Sequence, residues 1–285
     1  MPLIQQILFP VDFSPSAEAL ASAVAAMARL TGAPVTLLHA ADALRPDLEI
    51  VDSTLLAQME QRAAGRLDLF GRDALAGLTV TRRVVPGPAV RAIVECAGQM
   101  RLPMVMMPTH GQSAFRQLLL GSVTAGVLHD ADCPVWTSAH CSEAGPLPTS
   151  YASVVCAVDL GPHTVEVLRF AAAFCVAVGG AALSVVHAVP GIDPRFESAV
   201  ANRAHAFLLD DARSGYPALA QAAGIGVPLE ILENLSLPEG IAAAVERHRA
   251  DLLVIGRGDS QGFLGRLRTN AHELIRQSRC PVLSV

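Results

Sequence analysis

Apolar residues along this chain gather into short continuous runs, separated by longer stretches with helical spacing. Residues 6–11 form one such run, and Ser16–Leu30 has helical composition that Thr31–Gly32 brings to an end. VTLLHA (35–40) reads as a buried strand. A second helix is predicted over about 53–74, with Asp52 or Ser53 as its N-cap. A strand follows at 79–85, then a helix opened by Pro88, because proline suits a helix start. MVMM (104–107) is another buried strand, a loop leads to a last helix near 123–130, and PVWTS (134–138) closes the series. Apolar runs alternating with helices predict an α/β fold with a parallel sheet and right-handed crossovers.

The pattern then repeats. ILFPVDFSPS (7–16) returns as VVCAVDLGPH (154–163), VTLLHA as LSVVHA (183–188), and CPVWTS (133–138) as CPVLSV (280–285). Asp12 to Asp159 and Cys133 to Cys280 are both offsets of 147, while His39 to His187 is 148, so one residue is inserted between landmarks. One unit has been duplicated, which is a different organisation from a solenoid of short repeats. The expected domains are 1–138 and 151–285, joined by a Pro-, Ser- and Gly-rich linker at 139–150. A helix at 239–248 in the second unit starts with Glu239 and ends in Arg247-His248-Arg249, which complements a helix dipole.

The duplication also settles an ambiguous segment. Phe170–Ile192 contains no Asp, Glu, Lys or Arg and is long enough to span a bilayer. Gly179–Gly180 divides it into an Ala-rich part and a β-branched part, the pattern of helix, glycine stop and strand. Its counterpart in the first copy carries Glu18 and Arg29, so the helix–strand reading is preferred and no membrane partner is expected. MPLIQQILFPVD lacks the basic and long apolar regions of a signal peptide, and a cytoplasmic location is expected.

With 285 residues, each half is large enough to bury its own core. Hydrophobic residues at 52% and charged residues at 16% exclude global disorder. A net charge of −5 argues against nonspecific nucleic-acid binding, which requires basic patches. It leaves a nucleotide open, because one helix N-terminus can hold a phosphate without a basic domain. The six cysteines show no C-x-x-C and read as small buried hydrophobes. The nine histidines offer no zinc-like spacing, and His39 and His187, at matching strand ends, read as packed or hydrogen-bonded residues.

In an open parallel sheet, ligands bind beyond the carboxyl ends of the strands. Asp12 follows the first strand, His39 and Ala40 end the second, and PTHGQSAFRQLLLGSVT (108–124) follows the fourth. Gly111 and Gly121 enclose nine residues, and Ser122 comes next at the entrance of a helix. Small residues there admit a phosphate to the backbone N–H groups. A turn with a serine N-cap explains the same residues, and a strand-closing turn explains Asp12.

ILFPVDFSPS, VTLLHA, THGQSAFRQLLLGSVT and DADCPVW, in this order, resemble the universal stress protein family, and the second half is similar in a degenerate form. The resemblance implies two tandem Rossmann-like domains, each a doubly wound, mostly parallel five-stranded sheet, that form a pseudo-dimer. It implies pairing of the two last strands, PVWTS and PVLSV, and leaves further association of two chains into a homodimer open. ATP-binding members carry Gly-x2-Gly-x9-Gly-Ser/Thr, and here Pro108 replaces the first glycine. The implied contacts are Pro10, Asp12, Ala40, Met107, Pro108, Gly111, Gly121, Ser122 and Val123, with ATP, with or without Mg, as the ligand. Asp12 would accept a ribose hydroxyl and Ala40 would lie at the adenine.

In the second half, counting twelve back from Cys280 sets Arg268 where the first half has Gly121, with Thr269 matching Ser122. That copy is expected to be inactive. The leading function is an ATP-binding stress-response or regulatory protein with the nucleotide in the N-terminal domain. The alternative is a ligand-free interaction scaffold whose sites have decayed. An ATP-using enzyme ranks third, since neither a pyrophosphatase loop nor a P-loop occurs and no nucleophile–base pair stands out.

Overall fold

The computed structural model describes residues 2–41, 53–110, 120–138, 147–192, 195, 198–234, 236–257 and 266–285, the side chains of 53–56, 234 and 266–270 excepted. The chain divides into two compact units, 1–149 and 150–285. The first runs β1 (Gln6–Pro10), α1 (Pro15–Thr31), β2 (Val35–Ala41), α2 (Ser53–Leu69), β3 (Val80–Pro86), α3 (Ala89–Gly98), β4 (Pro103–Pro108), α4 (Ser122–Asp130) and β5 (Val135–Ser138). The second runs β6 (Ser153–Ala157), α5 (Thr164–Ala177), β7 (Ala182–Pro190), α6 (Ala199–Ala223), β8 (Leu229–Asn234), α7 (Leu237–Arg247), β9 (Leu252–Ile255), α8 (Arg266–Gln277) and β10 (Val282–Ser284).

Strand order is β3-β2-β1-β4-β5 in the first unit and β8-β7-β6-β9-β10 in the second, every pair parallel. The expected five-stranded, doubly wound units are therefore present. In each, the order reverses at the first strand, which opens a crevice beyond the ends of β1 and β4. Central strands are buried, as Ile7, Leu8, Phe9, Met104, Val105 and Met106 show, because helices cover both faces of a parallel sheet.

Local chemistry explains the boundaries that differ from expectation. Helix α1 begins one residue earlier than Ser16, because Ser14 Oγ caps the Ala17 amide at 3.2 Å. It ends at Gly32, left-handed at φ 70. Helix α2 stops at Leu69 rather than near 74, where Gly71 turns the chain at φ 62 and Leu75 tucks under it. Asp52 lies outside the described residues. Phe170–Ala177 completes α5, Gly179 and Gly180 turn at φ 106 and 95, and β7 follows. No helix among the described residues is long and apolar enough to cross a membrane. Helix α7 starts at Leu237, two residues before Glu239. Its terminal Arg247 and His248 reach the Glu230 carboxylate on β8, His248 Nε2 at 2.7 Å, and His248 Nδ1 meets Ser184 Oγ at 3.2 Å. A full carboxylate outcompetes the partial charge of a helix end, so this run is tied to the sheet.

The five cysteines among the described residues are free and buried, and Cys141 lies outside them. Burial pushes the Cys175 and Cys280 thiols up to about 11 and Cys156 higher still. Burial also raises Cys96, against the opposing charge of Arg83, whose Nη1 lies 3.4 Å from the sulfur. Only the thiolate reacts, and a thiol near 11 is ~0.1% ionised at pH 8. Iodoacetamide at pH 8 is therefore expected to leave Cys156, Cys175 and Cys280 unmodified in native protein and to alkylate all three in denaturant. Peptide mass mapping checks this, and rapid native labelling at any of them contradicts it.

Candidate functional site

A cleft of about 610 Å³ opens at the crevice of the first unit. Pro10 ends β1, and Val11 and Asp12 follow it along the wall. Leu38, His39 and Ala40 of β2 form the second side, and Met107 and Pro108 of β4 form the third. The last side is Leu120, the capping Gly121, and Ser122, Val123 and Thr124 of the first turn of α4. Eight of the nine expected contact residues thus surround one cavity, and Gly111 lies outside the described residues.

Asp12 is first of all a turn residue. Its Oδ1 accepts the Ser14 amide at 3.0 Å and the Ser14 hydroxyl at 2.6 Å, with Phe13 between them at φ 58. The second unit repeats this turn: Asp159 Oδ1 accepts the Gly161 amide at 2.9 Å and the Thr164 hydroxyl at 3.2 Å, with Leu160 at φ 59. A non-glycine residue in that region costs about 1 kcal/mol or more, offset here by the carboxylate's hydrogen bonds. His39 Nδ1 donates to the Val11 carbonyl at 2.8 Å, and His187 does the same to Val158 at 2.8 Å. Both histidines are hydrogen-bonded strand residues, and His39 also faces the cleft. The Phe13 ring lies 4.6 Å from the His39 ring, with the Arg66 guanidinium 4.1 Å from the Phe13 centroid.

Gly121 caps α4 with ordinary negative φ, so left-handed freedom is not its purpose. Its amide donates to Thr109 O at 2.9 Å, and a Cβ placed on it would stand 3.0 Å from that same oxygen. Glycine is favoured by this close approach, since any side chain makes the Thr109 carbonyl or the helix start give way. The Gly121 amide is accordingly occupied, which corrects the expectation that it is open to a ligand. Among the described residues, the amides of Ser122, Val123 and Thr124 have no partner, and Gly121 brings no side-chain cap. They carry the positive end of the helix dipole to the cleft.

Pro108 costs the sheet nothing. Val105 and Thr109 donate to β5 at Pro134 O and Ser138 O, 2.9 and 3.1 Å away. Amides alternate in direction along a strand, so that of position 108 would point toward β1. The last β1–β4 pair is Leu8 with Val105, and position 108 lies beyond it. The Pro108 carbonyl is used, accepting from Thr124 Oγ1 at 3.0 Å, which fastens α4 to β4.

Ala89, Ile93 and His110 are among the lining residues that the sequence pattern did not single out. Ala89 and Ile93 stand four apart on α3 and supply apolar wall, a signal visible only as helical spacing. His110 is the third. The Ser138 carbonyl only accepts, so the Thr109 hydroxyl donates to it at 3.0 Å and receives His110 Nδ1–H at 2.9 Å. This leaves His110 Nε2 a buried lone pair without a partner among the described residues.

In the second unit, α8 begins at Arg266, so Arg268 is the third residue of the helix and does not sit at its cap. Both α4 and α8 end three residues before the matching cysteines, Cys133 and Cys280, so the extra length is all at the N-terminus of α8. Residues 258–265 and the Arg268 and Thr269 side chains lie outside the described set. Among the described residues, no cluster of three His, Cys, Asp or Glu suits a metal.

Comparison with known proteins places the chain. The universal stress protein family model matches twice, over residues 4–138 and 150–285. A universal stress protein of Methanocaldococcus jannaschii is 26% identical over 151 residues, 47% of this chain and 93% of that protein. A solved universal stress protein of Archaeoglobus fulgidus DSM 4304 is 20% identical, covers 99% of this chain and 97% of its own, and superposes with a TM-score of 0.68. Another from Archaeoglobus fulgidus, solved in complex with dAMP, is 23% identical over 47% of this chain and 97% of its own, with a TM-score of 0.36. With both halves matched by its model, this chain belongs to the universal stress protein family as a tandem of two units.

Proposed function

We propose that the chain is a regulatory stress-response protein that binds ATP in the cleft of its first unit. The observation that carries the reading is the convergence of three strand ends and the open first turn of α4 on one cavity of about 610 Å³. That volume lies within the range of ligand clefts, roughly 300–1,000 Å³. The cavity has the polarity a nucleotide needs. Leu38, Ile93 and Met107 offer an apolar seat for a base, and the amides of Ser122, Val123 and Thr124 offer donors to phosphate oxygens. Asp12 lines the same cavity just after β1, where a ribose hydroxyl would meet its carboxylate. Mg would arrive with the phosphates, the usual manner for that ion.

One observation favours the second reading, a ligand-free scaffold. Pro108 contributes no N–H to the cradle. Calorimetric titration of nucleotide-free protein with ATP separates the two. The expected stoichiometry is one ATP per chain, unchanged in Arg268→Ala, with AMP weaker because it presents fewer phosphate oxygens to α4. No heat at millimolar ATP favours the scaffold. Two equivalent sites, or loss of binding in Arg268→Ala, places the ligand in the second unit.

A further inference from the structure

Helix α6 is 25 residues long, and only its second half buries side chains. Ala212, Tyr216 and Ala220 are buried, and the Tyr216 hydroxyl donates to Val227 O at 2.7 Å. From Ala199 to Asp211 no residue is buried. The inward side of this half is held at His205, which lies 3.0 Å from Pro190 O and 2.9 Å from Glu233 Oε2. The outward side carries Val200, 68% exposed, and Phe207, 69% exposed. At about 100° per residue, Val200, Arg203, Phe207, Asp211 and Ser214 all fall within about 40° of the Phe207 direction.

The charges on this face have a particular arrangement. Arg203 stands four residues before Phe207 and Asp211 four after it. Both are exposed, and neither side chain makes an ion pair or hydrogen bond among the described residues. An exposed phenylalanine flanked at equal distance by one unpaired cation and one unpaired anion is self-complementary under a twofold axis. Antiparallel pairing of α6 with α6 of a second chain, with the axis at Phe207, sets Arg203 against the other chain's Asp211 at both ends. The same register sets Val200 against Ser214. A parallel pairing in register would set like charges together instead.

We propose that this face of α6 is the contact through which two copies of the chain associate, with the two Phe207 rings at the centre and two reciprocal Arg203–Asp211 pairs around them. The contact is isologous, so it closes at a dimer. One helix pair is a small interface, and a weak, concentration-dependent dimer follows. This assembly is independent of the nucleotide reading, since no cleft residue takes part.

Sedimentation velocity over micromolar to high-micromolar protein tests it. Wild type is expected to show reversible monomer–dimer exchange, and Phe207→Ser is expected to remain monomeric. Arg203→Asp or Asp211→Arg alone brings like charges together and is expected to weaken association roughly tenfold or more. An equimolar mixture of these two single variants has complementary charges at both ends and is expected to regain dimer, as is the double variant Arg203→Asp with Asp211→Arg. That recovery is not obtainable from a mere folding defect. A wild type that stays monomeric overturns the proposal. A dimer that survives Phe207→Ser, or single variants that do not recover on mixing, overturns it equally.

Discussion

Replacing Gly121 with leucine is expected to abolish ATP binding while the protein remains folded. A Cβ at this position meets the Thr109 carbonyl oxygen at 3.0 Å, so either that carbonyl or the start of α4 has to give way to the larger side chain. Both movements disturb the same structure. The Gly121 amide is bonded to Thr109 O at 2.9 Å, and Thr124 Oγ1 is bonded to Pro108 O at 3.0 Å. When α4 shifts, the amides of Ser122, Val123 and Thr124 leave the cleft as a group. Two or three hydrogen bonds to a charged phosphate, at about 1.5–3 kcal/mol each, are then lost together. The expected effect is ~100-fold or more in Kd. The stability cost of overpacking is about 1–3 kcal/mol, so thermal unfolding should remain cooperative. Gly121→Ala is expected to fall between, since an alanine has only the Cβ to accommodate. Titration calorimetry together with a thermal melt reads both quantities. Unchanged affinity in a folded Gly121→Leu protein would mean that the ligand does not sit on α4.

The architecture was legible because two kinds of signal agreed. Uninterrupted apolar runs such as Leu8, Phe9 and Val105 marked strands buried on both faces, and the 147-residue offset repeated the assignment independently. Boundaries were less legible where a side chain outside the periodic pattern decides them. Ser14 starts α1 by capping the Ala17 amide, and Gly71 ends the region of α2 by turning left-handed. The basic end of α7 was legible as charge but not as destination, because Glu230, which collects it, lies on a strand 17 residues earlier.

The candidate site was legible as residues and less so as roles. The strand ends named Asp12 and Ala40 directly, the family resemblance added Pro10 and Met107, and all four line one cavity. Spacing suggested that Gly121 opens its own amide to a ligand. The structure instead gives that amide to Thr109 and makes the glycine a spacer between two backbones. The Asp12 carboxylate had two readings, turn and ligand, and its Oδ1 is in use for the turn in the same way as that of Asp159. Duplication therefore preserves the turn in both units, while the helix that follows the fourth strand differs. Helix α4 opens with a glycine cap and small residues, and α8 opens with Arg266, Leu267 and Arg268 on a longer N-terminus. Asymmetry between the units resides at this helix start and not at the aspartate.

That asymmetry makes a core substitution in the second unit informative about function. Phe174 on α5 is fully buried and meets the Tyr151 ring edge-on, centroids 5.5 Å apart at 78°. Its neighbours on the helix, Leu168, Ala171 and Cys175, are buried as well, so the space it leaves is enclosed. Phe174→Ala is expected to cost about 3–5 kcal/mol through lost transfer energy and an unfilled cavity. The aromatic pair with Tyr151 adds roughly 0.5–1.5 kcal/mol. For a unit of this size the melting temperature should fall by ~10 °C or more. Phe174→Leu keeps most of the volume and is expected to cost less than half as much. Every residue proposed to touch ATP lies between Pro10 and Thr124, in the other unit. ATP affinity and a stoichiometry of one should therefore be unchanged in Phe174→Ala when titrated well below its melting transition. Differential scanning calorimetry and calorimetric titration on the same sample read the two effects together. If the variant is folded at the titration temperature and ATP binding is nonetheless lost, the ligand depends on the second unit, and the open turn of α4 is not sufficient to hold it.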